Sequence, residues 1–406
     1  MKNKGISGLL GIYRGLPGPV YILFIGRIIN RMGDFVRAFL TIYLSRYLGM
    51  DEARIGAVVT LTALAVIGGS VLGGKLCDRA GRKKILLLSF LISAGLIGIC
   101  GFIPDSRYLP HILILAQFFS GAIRPVNSAM VTDLTSPENR HQAFSLLYLG
   151  INIGVSVGPL IAGFLFNHYR RWIFWGDALT TLAAALLILL FVPETIPAGH
   201  CGEGEEAEDK GNVFQALGRR PFLLVYLILT LFSSFVYAQS GFALPLQMNV
   251  RFLDQGARIF GYLMSCNAVT VLVATPLILR FLGRRRPLQN LMLGGLFYAA
   301  GFGMLMAEGC GLVYLLVSTV IWTLGEVVMA TFEGVFVANQ TPINHRGRFN
   351  AVHNVAHGLG GSLGPVLSGL ILASMGYRFL WILIVGLAVF HSLSLIFLSR
   401  RMQRVV

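Results

Sequence analysis

Ionisable and amide side chains recur at helical spacing within the apolar run that covers residues 19–48. These side chains are Arg27, Asn30, Arg31, Asp34 and Arg37, which follow the i, i+3, i+4, i+7 spacing of one helix face. The run is long enough to cross a bilayer, and charges at membrane depth normally face a bundle interior or a water-filled cavity. The pattern therefore predicts one charged helix face and a polar cavity enclosed by further helices.

A second apolar stretch carries Glu326 and Glu333, which are seven residues apart and so share a helix face beside Trp322. A carboxyl group buried without a cation can hold and release a proton near neutral pH, because burial disfavours its charged form. The residues predicted to couple transport to protons are Asp34, Glu326 and Glu333. A purely structural ion pair between a glutamate and Arg27 or Arg31 is the open alternative.

Other polar residues in apolar stretches complete the predicted cavity. The predicted substrate-cavity residues are Arg27, Asn30, Arg31, Arg124, Tyr237, Gln239, Asn267, Trp322, His353 and His357. His353 and His357 have the i, i+4 spacing of a metal pair, but no third ligand is evident, so polar lining or a proton relay is favoured over a metal. We expect Asp34 to pair with Arg124, Asp177 to pair with Arg170 or Arg171, and Pro245 to kink its helix.

The composition is that of an integral membrane protein. Of 406 residues, 55% are hydrophobic and only 13% charged, against roughly 25% charged in soluble domains. The apolar period is helical rather than alternating, which excludes an outer-membrane barrel. Twelve spans are predicted, at about 19–47, 54–76, 83–103, 109–132, 141–167, 171–193, 221–249, 257–281, 287–307, 310–338, 347–374 and 377–399.

The chain has a net charge of +15, and its basic residues are distributed unequally between the two sides of the predicted membrane topology. Of the 33 lysines and arginines, 21 fall on the side that holds both termini and 8 on the other, and the remaining 4 are intramembrane. The positive-inside rule then places both termini in the cytoplasm, and nucleic-acid binding is not expected. The five cysteines have no metal-ligand spacing, so neither a disulfide framework nor a cofactor is expected.

The chain contains an internal repeat. The segment 154–163, GVSVGPLIAG, recurs as GGSLGPVLSG at 360–369, and Trp175 corresponds to Trp381, all at an offset of 206 residues. A period of this size indicates duplication of a whole bundle, a plan in which the substrate site lies between the halves. The predicted domains are two six-helix bundles, 1–196 and 221–406, joined by the polar linker 197–220.

The loop after the second span carries a longer motif, GGKLCDRAGRKK at 73–84. The residues of interest are Gly74, Asp78, Arg79, Gly81, Arg82 and Lys83. They match G-x-x-x-D-R-x-G-R-K, so the chain resembles the major facilitator superfamily. The resemblance implies a fold of twelve transmembrane helices in two pseudo-symmetric bundles, and a conformational latch at Asp78. A basic loop that only sets topology is the alternative.

A motif in the fifth span resembles the antiporter signature G-x-x-x-G-P-x-x-G-G of the drug:proton antiporter branch. Its residues here are Gly154, Gly158, Pro159 and Gly163, with Ala162 in place of one glycine. The resemblance implies a bundle sealed against proton leak, whereas small-residue helix packing is the simpler interpretation. The branch usually has an arginine where this chain has Gln117, which leaves the role of Arg124 open.

These patterns predict a secondary transporter in a bacterial plasma membrane, not an enzyme, since no nucleophile–base pair or nucleotide-binding loop appears. The expected activity is proton-coupled efflux of lipophilic or cationic drugs by alternating access. The alternatives are a carrier for one anionic metabolite, siderophore or lipid, and a non-transporting sensor. The expected partners are a small-molecule substrate, protons and lipid, and the chain is expected to be a monomer.

Overall fold

The computed structural model describes residues 13–136, 139–195, 221–340 and 346–405, and these ranges contain helices and no strand. The α-helices are α1 (Gly18–Met32), α2 (Phe35–Arg46), α3 (Glu52–Ala80), α4 (Arg82–Phe102), α5 (Leu109–Gly121), α6 (Ile123–Leu134), α7 (Arg140–His168), α8 (Arg170–Phe191), α9 (Pro221–Ala238), α10 (Ala243–Phe252), α11 (Gly256–Leu282), α12 (Pro287–Met304), α13 (Leu312–Gln340) and α14 (Arg346–Val405). The predicted all-α class is confirmed.

Eight helical stretches of the described chain are long and apolar enough to cross a membrane. Two of them, Pro221–Leu282 and Val352–Met402, have 62 and 51 residues, against about 20 for one crossing. Helix occupies each of the twelve predicted spans. The chain is therefore an all-helical multi-pass membrane protein, and the count of twelve crossings stays a prediction.

Three predicted spans are discontinuous. The first is split between α1 and α2 at Gly33 and Asp34, the fourth between α5 and α6 at Ala122, and the seventh between α9 and α10. The prediction of one continuous charged face in the first span was wrong, because the helix ends at Met32 and begins again at Phe35. The seventh span breaks before Pro245, which lies in the first turn of α10 and does not itself form the kink.

The breaks in the first and seventh spans occur at positions that are related by the internal repeat. Helix α1 ends at Met32 and helix α9 ends at Ala238, and these residues are separated by the same 206 positions as the repeated motif. Broken helices free backbone groups in the membrane interior and commonly form transporter binding sites. The duplication therefore extends from sequence motifs to the places where helices are interrupted.

Helix α14 contains the predicted last two spans and turns at Gly376. This residue has φ 76° and ψ 177°, a conformation that only glycine adopts without steric cost. The glycine separates two arms, 346–375 and 377–405, as the prediction of two spans requires.

The chain divides into two compact units. The first unit comprises Met1–Phe39 and Leu61–Glu205, and the second comprises Leu40–Thr60 and Glu206–Val406. The second unit therefore includes a stretch of chain from the predicted first two spans. The predicted bundle boundaries stay a prediction, and the predicted linker 197–220 lies outside the described residues.

Glycines of the antiporter-like motif pack against the end of α1. A Cβ atom on Gly154 would lie 2.5 Å from Cβ of Arg31, and one on Gly158 would lie 2.7 Å from the carbonyl oxygen of Met32. Pro159 lies inside α7, which continues through it, and Pro159 and Gly163 are buried. The motif thus brings α7 close to the break in the first span.

The equivalent glycine of the second unit packs against the end of α9 in the same way. A Cβ atom on Gly364 would lie 2.7 Å from Cβ of Ala238, the last residue of α9. Each unit therefore holds the end of its broken helix against a small residue of the helix that carries the repeated motif.

Candidate functional site

The first unit contains a polar cavity of about 180 Å³. We call it the arginine cavity; its charged lining residues are Arg31, Asp34, Arg37, Arg124 and Asp177, and its polar lining residues include Asn30, Ser93, Gln117, Ser120 and Thr181. The break between α1 and α2 lies at this cavity, so the interruption of the first span places Asp34 beside it.

Asp34 accepts two charge-assisted hydrogen bonds from its own span. Its Oδ2 lies 2.7 Å from Nη1 of Arg31 and 2.8 Å from Nε of Arg37. The expected pair with Arg124 is not the one formed, although Arg124 lines the same cavity. Because α1 and α2 meet at Asp34, both arginines can reach one carboxylate oxygen.

Asp177 lines the cavity, although the sequence analysis did not include it among the site residues. Its carboxylate accepts a hydrogen bond from the backbone N–H of Val36, 3.1 Å away, in the first turn of α2. The expected pairing with Arg170 or Arg171 was wrong, because Arg170 forms its ion pair with Asp105, at 2.7 Å. A single acid in an apolar helix, followed by Thr180 and Thr181, was the available signal.

Polar side chains of α8 surround the break in the first span. Nδ2 of Asn30 donates to Oγ1 of Thr181 at 3.1 Å, and Thr180 occupies the space beside Gly33, where a Cβ atom would clash with its hydroxyl. Helix α8 therefore supplies Asp177 and both threonines to the same small region. Of these, Asp177 accepts the N–H of Val36, one of the backbone groups that the break leaves without an intrahelical partner.

Arg27 lies one turn before Arg31 and is 8% exposed. Its Nε is buried without a hydrogen-bond partner in the described structure, and the charges of Arg31 and Arg124 act on it. Three of the four predicted intramembrane arginines thus form a positive cluster. Such a cluster is costly to bury and could bind an anionic group.

The second unit contains a smaller cavity, of about 120 Å³. We call it the glutamate cavity; it is lined by Ser233, Ser234, Tyr237, Tyr298, Glu326, Met329, Ala330, Glu333 and His357. These described lining residues include no lysine or arginine. The two glutamates predicted to share a face of α13 therefore do line one cavity.

Glu326 is held by two neutral donors. The phenol of Tyr237 donates to Oε1 at 2.7 Å, and Nδ2 of Asn267 donates to Oε2 at 2.6 Å. Nδ2 of Asn267 also lies 3.0 Å from Oγ1 of Thr323, one helical turn away. The structure thus connects three predicted site residues from α9, α11 and α13 in one hydrogen-bond network.

Glycines bring α13 close to its neighbour α12 on either side of this network. A Cβ atom on Gly325 would lie 2.7 Å from the carbonyl oxygen of Gly294, and one on Gly301 would lie 2.5 Å from the backbone nitrogen of Trp322. Gly325 directly precedes Glu326 in the chain, so the close approach lies next to this network.

Glu333 lies two turns further along α13 and is 9% exposed. Its Oε2 is 3.6 Å from Nε2 of His353, and the ring of His353 stacks on Tyr226 with centroids 6.2 Å apart. The rings of His353 and His357 are 6.5 Å apart. The sequence-predicted histidines therefore lie near Glu333 in a polar and aromatic setting, and the proton relay stays a prediction.

Trp322 and Gln239 have different environments from the rest of the predicted set. Trp322 is 1% exposed and stacks on Phe302, which stacks in turn on Trp381. Gln239 is fully buried at the break of the seventh span, where its Nε2 donates to the carbonyl of Phe235. Neither residue lines the glutamate cavity, and their place in a substrate cavity stays a prediction.

The loop motif of the first unit forms a capped turn. Gly81 has φ 103° between α3 and α4, and the carboxylate of Glu194 accepts the backbone N–H groups of Arg82 and Lys83 at 2.9 and 3.1 Å. A carboxylate at a helix N-terminus is stabilising. Glu194 therefore caps the N-terminus of α4.

Charged residues of the same motif form an ion-pair cluster. Nη1 of Arg82 lies 2.6 Å from Asp133, and Nη2 lies 3.8 Å from Asp78. Gly73, rather than Gly74, makes the close approach between helices, because its Cβ would lie 2.2 Å from Cβ of Ala122. Arg79 is exposed. The latch predicted at Asp78 stays a prediction.

A family model described as Major Facilitator Superfamily matches residues 23–332 and 259–404. The match covers most of the chain and includes both cavities and the loop motif. The chain therefore belongs to the major facilitator superfamily, and it is a membrane transport protein rather than an enzyme.

Curated relatives match over most of their length. The chain is 26% identical to "Uncharacterized MFS-type transporter YhjO" of Bacillus subtilis, over 94% of this chain and 91% of the relative. It is 22% identical to a "Na(+), Li(+), K(+)/H(+) antiporter" of Planococcus maritimus, over 81% and 83%. It is 24% identical to "Multi-drug resistance efflux pump PmrA" of Streptococcus pneumoniae, over 84% and 82%.

Solved transporter structures share the fold. The nucleoside transporter NupG superposes with a TM-score of 0.75 and 16% identity, covering 94% of this chain and 99% of that one. The peptide transporter POT in complex with sulfate gives a TM-score of 0.73 and 19% identity, covering 99% and 96%. At such identities the likeness defines the fold alone.

Proposed function

We propose that this transporter is a proton-coupled antiporter that exports lipophilic, often cationic compounds by alternating access. The observation that carries the proposal is Glu326, a carboxyl group in an aromatic cavity whose described lining has no lysine or arginine. Its hydrogen bonds come from neutral donors, Tyr237 and Asn267, which stabilise a carboxylate without cancelling its charge.

Exchange follows if a proton and a cationic substrate compete for this carboxylate. Protonation makes Glu326 neutral and releases a bound cation, and loss of the proton restores the site. Tyr237, Tyr298 and Met329 line the surroundings, and such rings and thioethers accept varied apolar shapes. Glu333, with His353 and His357 nearby, provides a second acidic position along the same helix.

Two relatives support this choice, one named as a multidrug efflux pump and one as a cation/proton antiporter. The proposed topology is twelve spans in the bundles 1–196 and 221–406, with both termini on the cytoplasmic side of a bacterial plasma membrane. Reporter fusions at each terminus test that orientation. We propose a monomer, which sedimentation in detergent tests.

Inverted or right-side-out vesicles with an imposed pH gradient test the transport function. Ethidium or Hoechst efflux should follow the gradient in the wild type and lose its coupling in Glu326→Gln. Glu308→Gln is the matched control, because Glu308 is exposed and lies outside the cavity. Gradient-driven efflux that is equal in all three proteins would remove Glu326 from the coupling role.

One observation favours a second candidate function, transport of an anionic metabolite. Arg27 is buried with no ion pair in the described structure, next to Arg31 and Arg124. Guanidinium groups in such a cluster could bind a carboxylate or phosphate in bidentate fashion. A thermal-shift screen separates the candidates: stabilisation by anions alone favours the second, and stabilisation by lipophilic cations favours the first.

A further inference from the structure

We propose that Asp177 is a proton-binding site of the first unit, and that its proton controls how tightly the second half of the broken first span is held. This inference rests on the proposed proton coupling and assigns part of it to a residue outside the predicted set. The geometry consists of a buried carboxylate, a cavity and a helix break that meet at one point.

The two aspartates of the arginine cavity differ in their partners. Asp34 has two guanidinium groups within 2.8 Å, which favour its charged form. Asp177 is 5% exposed and forms no ion pair in the described structure, and its recorded hydrogen bond is the one from the Val36 N–H. A carboxylate buried without a cation gains more from binding a proton than a paired carboxylate does.

The charged groups around Asp177 are few and come from three elements. Asp34 at the break repels it, and Arg31 of α1 and Arg37 of α2 attract it without direct contact. Arg124 of α6 lines the same cavity. The lining residues from α4 and α5 are Ser93, Ile97, Gln117, Ser120 and Gly121, none of which ionises.

The proton is linked to the helix through Val36. A hydrogen bond from a backbone N–H to an ionised carboxylate is roughly twice as strong as one to a neutral acceptor. The negative charge also interacts favourably with the helix dipole at the N-terminus of α2. When Asp177 binds a proton from the cavity, this bond weakens and the N-terminus of α2 is held less firmly. Protonation therefore loosens the half-helix at the point where Asp34 and Arg37 meet.

Infrared difference spectroscopy of the purified transporter tests the assignment directly. Lowering the pH, while staying above the range in which exposed aspartates bind protons, should produce the carbonyl band of a protonated carboxylic acid. Part of that band should shift when the protein is grown with aspartate labelled at its side-chain carboxyl group, and the shifting part should disappear in Asp177→Asn. The asparagine oxygen can still accept the Val36 N–H, so this variant removes the proton while keeping an acceptor.

Two further variants separate proton binding from a structural role. Asp34→Asn should keep the aspartate band, and Asp105→Asn controls for the same substitution at an exposed ion pair. A band that disappears in Asp34→Asn but persists in Asp177→Asn would overturn the proposal. A wild-type band that does not shift with the aspartate label would also overturn it. This second measurement does not depend on the folding of any variant.

The spectroscopic result is separate from the proposed function. Gradient-driven efflux that depends on Glu326, together with an aspartate-independent band, would retain the antiporter and remove Asp177 from it. An Asp177 band in a protein that moves no cationic dye would retain the proton site and remove the proposed substrate class.

Discussion

In the first unit the carboxylate of Asp34 lies between two guanidinium groups, whereas in the second unit the carboxylate of Glu326 is held by a phenol and an amide. Arg31 and Tyr237 are separated by 206 residues, the offset of the internal repeat, and each donates to the acid of its own unit. The two units thus have a hydrogen-bond donor at equivalent positions, and this donor is charged in the first unit and neutral in the second.

This difference has an electrostatic consequence. The described lining of the arginine cavity carries three arginines against two aspartates, whereas that of the glutamate cavity carries two glutamates and no lysine or arginine. A carboxylate that pairs with a cation is stabilised in its charged form, whereas a buried carboxylate without a cation binds a proton more readily. Under our proposals Asp34 mainly holds the arginines, whereas Glu326 and Asp177 exchange protons; the proton-coupling role that the sequence suggested for Asp34 stays a prediction.

The strongest test compares neutral isosteres in the two units. Asp34→Asn leaves Arg31 and Arg37 without their shared counter-ion and weakens two partly exposed bonds to a charged group, each of which contributes about 1.5–3 kcal/mol. Glu326→Gln removes a charge that has no cation, so its stability should stay within about 1 kcal/mol of the wild type. Thermal unfolding in detergent measures both. Equal losses in the two variants would show that the units do not differ in this way.

Removal of one donor tests the glutamate cavity more finely. Tyr237→Phe deletes the 2.7 Å bond to Glu326, and bonds to charged groups contribute about 1.5–3 kcal/mol. The carboxylate loses that stabilisation, so the pH profile of efflux should move about one to two units to higher pH. Tyr298→Phe is the matched control, since its hydroxyl is not bonded to Glu326. An unchanged profile in Tyr237→Phe would contradict the proposed role.

Helix packing should behave alike in the two units, in contrast to charge. Gly158→Ala and Gly364→Ala each place a methyl group 2.7 Å from the last residue of α1 or α9. Overpacking of this kind costs about 1–3 kcal/mol, and we expect similar drops in thermal stability. Gly361→Ala is the control, because a Cβ there meets no atom within 4 Å. A large loss in only one unit would limit the symmetry to the sequence motif.

The sequence predicted the family, the helical class and a polar cavity that includes Glu326, Tyr237 and Asn267, because polar residues within a membrane normally face a bundle interior. It did not predict the hydrogen bonds that join these three residues. It did not predict the break at Asp34, since the i, i+3, i+4 spacing suits an unbroken helix equally well. Asp177 was misassigned because nearby arginines offered a simple partner, and the free N–H of Val36 exists only after α1 and α2 separate.

The smallest expected effect concerns an exposed ion pair of the second unit. Arg46 pairs with Asp254, whose side chain is 84% exposed, and it also donates to the carbonyl of Leu253. Exposed pairs contribute about 0–1 kcal/mol and weaken with salt. Arg46→Gln should therefore lower thermal stability slightly, and less at high ionic strength. The same change at Arg170, which pairs with Asp105 in the first unit, should match it. A markedly larger loss of thermal stability in Arg46→Gln than in Arg170→Gln would show that the Arg46–Asp254 pair contributes more than an exposed ion pair is expected to.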